Sequence, residues 1–265
     1  MRKIQLSISA IFISFLISCT QTEAPKIEWK FSDKDELVYS YAQNSTATQS
    51  IGEQKKVNEY LLQADLVLMI QENGNADLEL RNVTSSMWFP GTTDTVKNLA
   101  NDNVIAKGLQ INGKPENPSD RGSDLFEFLF VIPDSLLQAG ESIIRPTKFP
   151  FNATDGIYFV HGQQKITLKE YKEIDGQKFA VIQTEITAND LKVPNELKKQ
   201  YACDVKGSTE FTFNLDERYF TKGIIDLNID VTNHQFDTNK KITTLTSSSV
   251  HYEILLKEVL TKPLK

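Results

Sequence analysis

The sequence is poor in the residues that build metal centres, redox sites and disulfide frameworks. Its 265 residues include two cysteines and three histidines, His161, His234 and His251. None of them has the Cys-x-x-Cys, His-x-His or His-Glu-x-x-His spacing of a metal site. Walker, dinucleotide-binding and Gly-x-Ser-x-Gly motifs are also missing. The sequence therefore assigns no metal ligand, no cofactor and no catalytic residue, and it favours a non-catalytic protein.

Extremes of composition and charge are missing as well. With 40% hydrophobic and 24% charged residues, the chain is neither collagen, nor a long coiled coil, nor a disordered protein. The net charge falls from −6 to −8 once Arg2 and Lys3 leave with the N-terminal segment described next, and this acidity disfavours nucleic acid as a partner. A hydrolase that uses two carboxylates stays open, because 35 acidic residues always provide some close pair.

Residues 1–18 are typical of a secretory signal peptide. A basic start precedes an apolar stretch that is shorter than the roughly 20 residues needed to span a bilayer. The ending Leu16-Ile17-Ser18-Cys19 resembles the bacterial lipobox, which implies lipidation of Cys19 with fatty acyl chains such as palmitate. By the same resemblance, Thr20 in place of an aspartate implies the outer membrane. Residues 19–28 would then be a lipidated tether, and the membrane would be a partner of the protein through this lipid.

Lipidation of Cys19 leaves Cys203 without an intrachain partner. No disulfide framework is therefore expected. Nothing in the local sequence marks Cys203 as an activated thiol, so we interpret it as a buried structural cysteine.

From Trp29 onward the hydrophobic period is two residues, which is typical of strands with one apolar and one solvated face. We predict a mainly β fold, an antiparallel hairpin-rich curved sheet or half-barrel with two or three short helices. It would form a single domain of residues 29–265 that could contain two similar halves. The alternating segments are Leu62–Ile70, Ala76–Leu80, Ile166–Ile186, Phe211–Leu215, Ile225–Val231 and Val250–Leu256.

The polar residues of one such segment, Asp226, Asn228 and Asp230, could suggest a calcium site. No Asp-x-Asp-x-Asp-Gly loop accompanies them. We interpret them as the solvated face of a strand.

The first hairpin shows how strand register follows from the pattern. A three-residue loop at Glu72–Gly74 sets Leu68 across from Leu78. It also sets Leu66 across from Leu80, so one face stays apolar. A two-residue turn would instead set an isoleucine opposite an aspartate. We therefore prefer the three-residue loop, which also puts a glycine where a left-handed conformation is needed.

Helical signals are few and short. A proline start and a glycine stop favour a helix at Pro133–Gly140, and a second is expected at Pro194–Tyr201. A third short turn is expected at Thr95–Ala100. No alternation of strands and helices occurs, which argues against a Rossmann or TIM-barrel enzyme.

The run Leu125–Ile132 is apolar on both faces except for Glu127. We predict a strand that is either sandwiched in the core or lines a cavity. In a strand, Phe126, Phe128 and Phe130 would project to one side. A packed core is the preferred interpretation, and the lining of an apolar-ligand cavity is the alternative.

Three further motifs follow this run: Gly140-Glu141-Ser142, Asp175–Ile182 and Lys206–Phe213. Together with the hairpin-rich first half they resemble an uncharacterised family of β-rich lipoproteins from Bacteroidota, known only as a domain of unknown function. The resemblance implies a β-rich envelope protein, and it supplies no catalytic residues.

Lipoproteins of such organisms can be glycosylated at Asp-(Ser/Thr)-apolar triplets. Asp94-Thr95-Val96 and Asp134-Ser135-Leu136 fit this pattern. Thr95 and Ser135 are therefore candidate O-glycosylation sites.

These features predict an outer-membrane-anchored lipoprotein, on the periplasmic or the surface face, that acts as a non-catalytic binding or envelope-assembly component. Its partner would be an envelope protein or an apolar small molecule. A carrier of an apolar ligand such as an acyl chain is the alternative, and a carboxylate-dependent hydrolase is less favoured.

Overall fold

The computed structural model describes residues 24–88, 96–99, 103–120, 122–153, 155–237 and 240–262. These residues form eleven strands and two short helices. Their bounds are β1 Lys34–Ile51, β2 Gln54–Ile70, β3 Ala76–Trp88, β4 Val96–Leu99, β5 Asn103–Leu109, α1 Ser123–Leu129, β6 Ser142–Ala153, β7 Gly156–Ile174, β8 Gln177–Lys192, α2 Asn195–Lys198, β9 Tyr201–Asn214, β10 Tyr219–Asp237 and β11 Lys240–Thr261.

All strands belong to one antiparallel sheet with the order β4-β3-β2-β1-β11-β10-β9-β8-β7-β6, and β5 pairs with β3 beside β4. Within the described strands the sheet is not closed. It is strongly curved, because Gln49 of β1 and Phe151 of β6 line the same cleft although five strands separate them in the sheet. The predicted antiparallel, hairpin-rich curved sheet is confirmed.

The long hairpins give the molecule two ends. One end, called the closed end, carries the β2–β3, β7–β8 and β9–β10 turns, and Lys34 pairs there with Thr261 near the C-terminus. The other end, called the open end, carries α2 and the β1–β2, β6–β7 and β10–β11 connections. In the part of the chain that the structure describes, no helix is long and apolar enough to cross a membrane.

The main apolar core fills the inner face of the sheet at the closed end. Trp29, which is 1% exposed, lies at its centre, with ring centroids 5.1 Å from Phe220 and 5.3 Å from Phe130. The backbone N–H of Trp29 donates to the carbonyl of Ile111 over 2.8 Å. The segment before β1, which carries Trp29, therefore packs against the segment around α1, from Ile111 to Phe130. Together these two segments fill the inside of the curved sheet and are called the plug.

The predicted register of the first hairpin is confirmed. Leu68 pairs with Leu78, and Leu66 pairs with Leu80. The N–H of Gln71 donates to the carbonyl of Asn75 over 2.8 Å and closes the three-residue loop, in which the glycine has a φ of 83°. The alternative two-residue turn is excluded.

The second predicted hairpin is also present. β7 and β8 are joined by Asp175-Gly176, and Ile174 pairs with Gln177. Both turn residues have positive φ, 52° and 78°. This backbone is the one that suits the right-handed twist of the flanking strands.

The predicted strand at Leu125–Ile132 is wrong. Most of this run forms α1, and residues 130–132 belong to no helix or strand. Phe126 and Phe130 are four residues apart and both are buried, which is the spacing of one helix face. A short continuous apolar run fits a buried helix as well as a buried strand, so periodicity alone does not separate them.

Two of the predicted helices are also wrong. Residues 133–140 are not helical, because their backbone groups bond elsewhere: the carbonyl of Leu137 accepts from the Tyr171 hydroxyl over 3.0 Å, and the N–H of Gln138 donates to Glu141 over 2.7 Å. In the Thr95–Ala100 segment the described residues form strand β4. The helix predicted at Pro194–Tyr201 is confirmed in its shorter form α2.

Candidate functional site

The most promising binding site is a cleft at the open end, called here the open-end cleft. Its volume is about 510 Å³. Strands from both sides of the curved sheet contribute to it. The lining residues are Gln49, Phe149, Pro150, Phe151, Asn152, Ala153, Val160, Tyr201, Cys203, Val205, Ile229, Val231, Asn233, Thr244 and Thr246.

The cleft exists because the plug fills only part of the inner face. Phe128 of α1 marks the limit of the plug, with its ring centroid 6.3 Å from that of Phe149 and 5.5 Å from that of Tyr252. The inner faces of β6, β7, β9 and β10 continue beyond this point. Their side chains form a second apolar cluster, centred on Phe151, Val160, Ala188, Cys203 and Val205.

A polar layer separates the two apolar clusters on β6 and β7. The Nε of Arg145 donates to the side-chain oxygen of Gln164 over 3.1 Å, and its Nη2 donates to the carbonyl of Glu127 over 3.2 Å. Gln164 is only 4% exposed, so this hydrogen bond satisfies a buried amide oxygen. The layer holds the end of α1 against the sheet.

The walls of the cleft are mainly aromatic and aliphatic. The rings of Phe151 and Tyr201 meet edge to face, with centroids 5.4 Å apart. Ile229 and Val231, both half-buried, alternate along β10 and face the same space. This surface favours contact with an apolar body.

Cys203 lies in this wall as a free, buried thiol. Burial raises its pKa to about 11, and the negative charges of Asp204 and Asp230 contribute in the same direction. Because the thiolate is the reactive form, the thiol is a poor nucleophile at neutral pH. The structure thus agrees with the interpretation of Cys203 as a structural residue.

The three phenylalanines proposed from the sequence do not share one side. Phe126 and Phe130 are 0% and 1% exposed and lie in the closed-end core. Phe128 is half-buried on the other side of α1. The helix separates the three rings because its period is 3.6 residues, whereas the alternation of a strand would have aligned them.

Of the three candidate modification sites, only Ser135 lies among the described residues. Cys19 and Thr95 lie outside the described residues. Ser135 is exposed in the segment after α1, beside Asp134, whose carboxylate is 2.9 Å from the ammonium of Lys114. An exposed hydroxyl in a non-helical segment is accessible to a glycosyl-transferring enzyme, and its use as a glycosylation site stays a prediction.

The histidines and the polar face of β10 do not converge on one site. His251 lies 2.7 Å from Asp226, His234 lies 2.9 Å from Thr243, and Ser247 donates to Asp230 over 2.6 Å. Within the described ranges, no group of three His, Cys, Asp or Glu residues is arranged to hold a metal ion.

Sequence reasoning missed the open-end cleft, although part of its signal was present. Ile229 and Val231 belong to the predicted alternating face of β10. Phe149 and Phe151 alternate in the same way on β6, a strand that the sequence analysis did not identify. What the pattern lacked was any indication that these two faces meet.

Comparison with known proteins gives little guidance. No protein-family model and no curated protein matches the sequence. A DUF1329 family protein from Desulfovibrio piger is a weak structural neighbour, with 8% identity, 89% of each chain covered and a TM-score of 0.14. The binding domain of botulinum neurotoxin serotype C1 shows 7% identity, 84% coverage of each chain and a TM-score of 0.14. At these TM-scores the resemblance identifies no shared fold, and membership of a Bacteroidota lipoprotein family stays a prediction.

Proposed function

We propose that the protein is a non-catalytic binding component of the bacterial cell envelope that holds an apolar ligand in the open-end cleft. The observation that carries this proposal is the cleft itself. Its volume of about 510 Å³ falls within the range of roughly 300–1,000 Å³ usual for small-molecule sites. Its walls include Phe151, Val160, Cys203 and Val205 of the second apolar cluster.

Most of the gain on binding would come from apolar surface that the ligand itself removes from water, because the side chains of the second apolar cluster are already largely buried. Burying about eight methylene groups contributes roughly 6 kcal/mol before the ligand's loss of freedom is subtracted. An acyl chain or another elongated apolar molecule contains a stretch of this length. The proposal therefore moves the apolar-ligand site from the three phenylalanines of α1 to the open-end cleft.

The position of the N-terminal segment determines how a lipid anchor would orient the protein. The segment before β1 reaches the closed end, where the N–H of Lys30 donates to the carbonyl of Arg218 and Lys34 pairs with Thr261 of the C-terminal strand. A lipid on Cys19 would therefore place the closed end towards the outer membrane and the cleft away from it. In that arrangement the cleft is free to take up a ligand or to meet a protein that delivers one.

Envelope assembly is the second candidate function, and one observation favours it. Several large apolar side chains are exposed near the turns of the open end, among them Ile157 at 66%, Leu245 at 49% and Ile51 at 44%. Exposed apolar groups around a cleft are typical of surfaces that meet another protein. A carboxylate hydrolase is less favoured, because no acidic residue is among the described residues that line the cleft.

A matched pair of variants tests the cleft. Val231→Lys places a charge on the cleft face of β10, and Thr232→Lys places the same side chain one residue along, on the opposite face. An unlipidated form, residues 20–265, retains every residue of both apolar clusters and is suitable for the assay. We expect Nile red fluorescence titrations to give at least about tenfold weaker binding for Val231→Lys. Equal binding by the two variants would reject the site.

The anchor is tested separately. Cys19→Ala should leave an uncleaved or soluble form, while the folded body should keep the far-ultraviolet circular dichroism of a β protein. Normal membrane fractionation of this variant would reject the lipobox assignment.

A further inference from the structure

We infer that the open-end cleft selects uncharged amphiphiles, in which an apolar body carries a hydroxyl or amide head, over ionised ones such as fatty-acid carboxylates. This inference rests on the proposed function and names the ligand class for the same site. It is carried by the chemistry of the lining residues and by their arrangement.

Among the described residues, those that line the cleft include none that is charged at neutral pH. Fifteen residues line the cleft, and in a chain with 24% charged residues about three or four of them would ordinarily be charged. The opposite face of the same strands is charged, with Asp226 and Asp230 on β10 and Lys206 on β9. The absence of charge is therefore confined to the face that meets the ligand.

An ionised ligand would lose its hydration in this cleft without meeting a compensating cation. Transfer of a carboxylate from water to an apolar surface is strongly unfavourable unless it is paired.

A polar patch on one wall provides groups for a neutral head. Gln49 of β1 pairs with Thr246 of β11, and Asn233 of β10 pairs with Thr244 of β11. These four side chains thus lie on three adjacent strands, as a group of two amides and two hydroxyls. Amides and hydroxyls both donate and accept hydrogen bonds.

The patch faces an aromatic wall. Phe149 and Phe151 on β6 border the same space from the other edge of the curved sheet. A ligand could place its apolar body against the phenylalanines of β6 and its hydroxyl or amide head against the polar patch. It would then make apolar contacts on one side and hydrogen bonds on the other. A hydrocarbon without a head group would make no hydrogen bond to the polar patch. A carboxylate would meet only uncharged partners there.

The test compares ligands with the same chain and different heads. Dodecanamide, 1-dodecanol and dodecanoate compete with Nile red for residues 20–265 at pH 8, with the amide and the alcohol below their solubility limits and dodecanoate below its critical micelle concentration. We expect the amide and the alcohol to displace the probe at concentrations at least about tenfold lower than dodecanoate. Equal or stronger displacement by dodecanoate would overturn the inference and leave the proposed function standing. Failure of Nile red and of all three ligands to bind would instead reject the proposed function.

A charge variant provides a second measurement. Thr246→Lys adds a cation to the polar patch and should improve displacement by dodecanoate relative to the amide. Ser249→Lys places the same charge on the outer face of β11, where Ser249 is exposed, and should leave the ratio unchanged. An unchanged ratio in Thr246→Lys would mean that the head group does not lie at the patch, and this result would also contradict the inference.

Discussion

Arg81 on β3 reaches across β2 and holds Glu36 on β1 through two hydrogen bonds, each 2.9 Å long. The same guanidinium donates to Glu79 over 2.8 Å. On the neighbouring strands Asp65 accepts from Lys257 of β11 over 2.5 Å. A charged network thus connects four adjacent strands on the outer face, at the closed end of the sheet.

Arg81→Lys should destabilise the fold by about 1–2 kcal/mol, because a lysine cannot reproduce the two-pronged geometry of the guanidinium. Both partners are partly exposed, at 29% and 22%, which keeps the loss at this modest level. Urea unfolding measures the change. Lys165→Gln is the control, since Lys165 lies 3.9 Å from an exposed Glu185, and its cost should stay within about 0.5 kcal/mol. Equal losses in the two variants would show that the network contributes nothing.

Asp65 should make part of the free energy of unfolding depend on pH in the acidic range. The hydrogen bond from Lys257 is the main cause that lowers the pKa of Asp65, and Asn82 and Arg81 act in the same direction. A lowered pKa in the folded state stabilises the fold above the ordinary aspartate pKa of about 4, and this contribution disappears as the pH falls through the lowered value. Asp65→Asn should therefore be less stable than the unmodified chain by roughly 1 kcal/mol at pH 7. Urea unfolding at several pH values should show this difference shrinking below pH of about 4, and a constant difference would contradict the assignment.

Phe130 and Phe128 should differ sharply in their contribution to stability. Phe130 is 1% exposed and contacts Trp29, Tyr39 and Phe220. Phe130→Ala should cost about 3–5 kcal/mol through the void that it leaves. Phe128→Ala should cost less, because its ring is only half-buried. Chemical unfolding of both variants checks this order, and the reverse order would mean that α1 is rotated about its axis.

Cys203 should react slowly in the folded protein. Its pKa of about 11 lies about two units above that of a free thiol, so the thiolate population near pH 8 is roughly a hundredfold lower. The labelling rate with iodoacetamide should rise about tenfold per pH unit between pH 8 and 10. Labelling in urea provides the rate of the unfolded chain. A native rate equal to the unfolded one would show that the cleft wall does not protect the thiol.

The features that depend on near neighbours in the chain were predictable. The register of Leu66 with Leu80 follows from alternation over a few residues and from one glycine in a short loop. The turn at Asp175-Gly176 follows from two residues that tolerate positive φ. Each of these predictions needed only local sterics and the preference of one strand face for an apolar surface.

The run Leu125–Ile132 shows where local reasoning fails. Its residues are apolar all round, so both a strand and a helix can bury them. The choice was made by the partners of Phe130, which come from the segment before β1 and from β1 and β10. These partners are distant in sequence, and no local pattern contains them.

The sequence by itself determined the antiparallel arrangement, the turns at Glu72–Gly74 and Asp175-Gly176, and the apolar and solvated faces of the strands in which hydrophobic residues alternate. Only the tertiary structure decided which part of the apolar face is filled and which part stays open. Val231 and Ile225 have the same alternation on β10, yet Ile225 is buried in the closed-end core and Val231 borders the open-end cleft. The physical reason is that burial depends on what lies opposite a side chain, and that is set by the curvature of the whole sheet and by the length of the plug inside it.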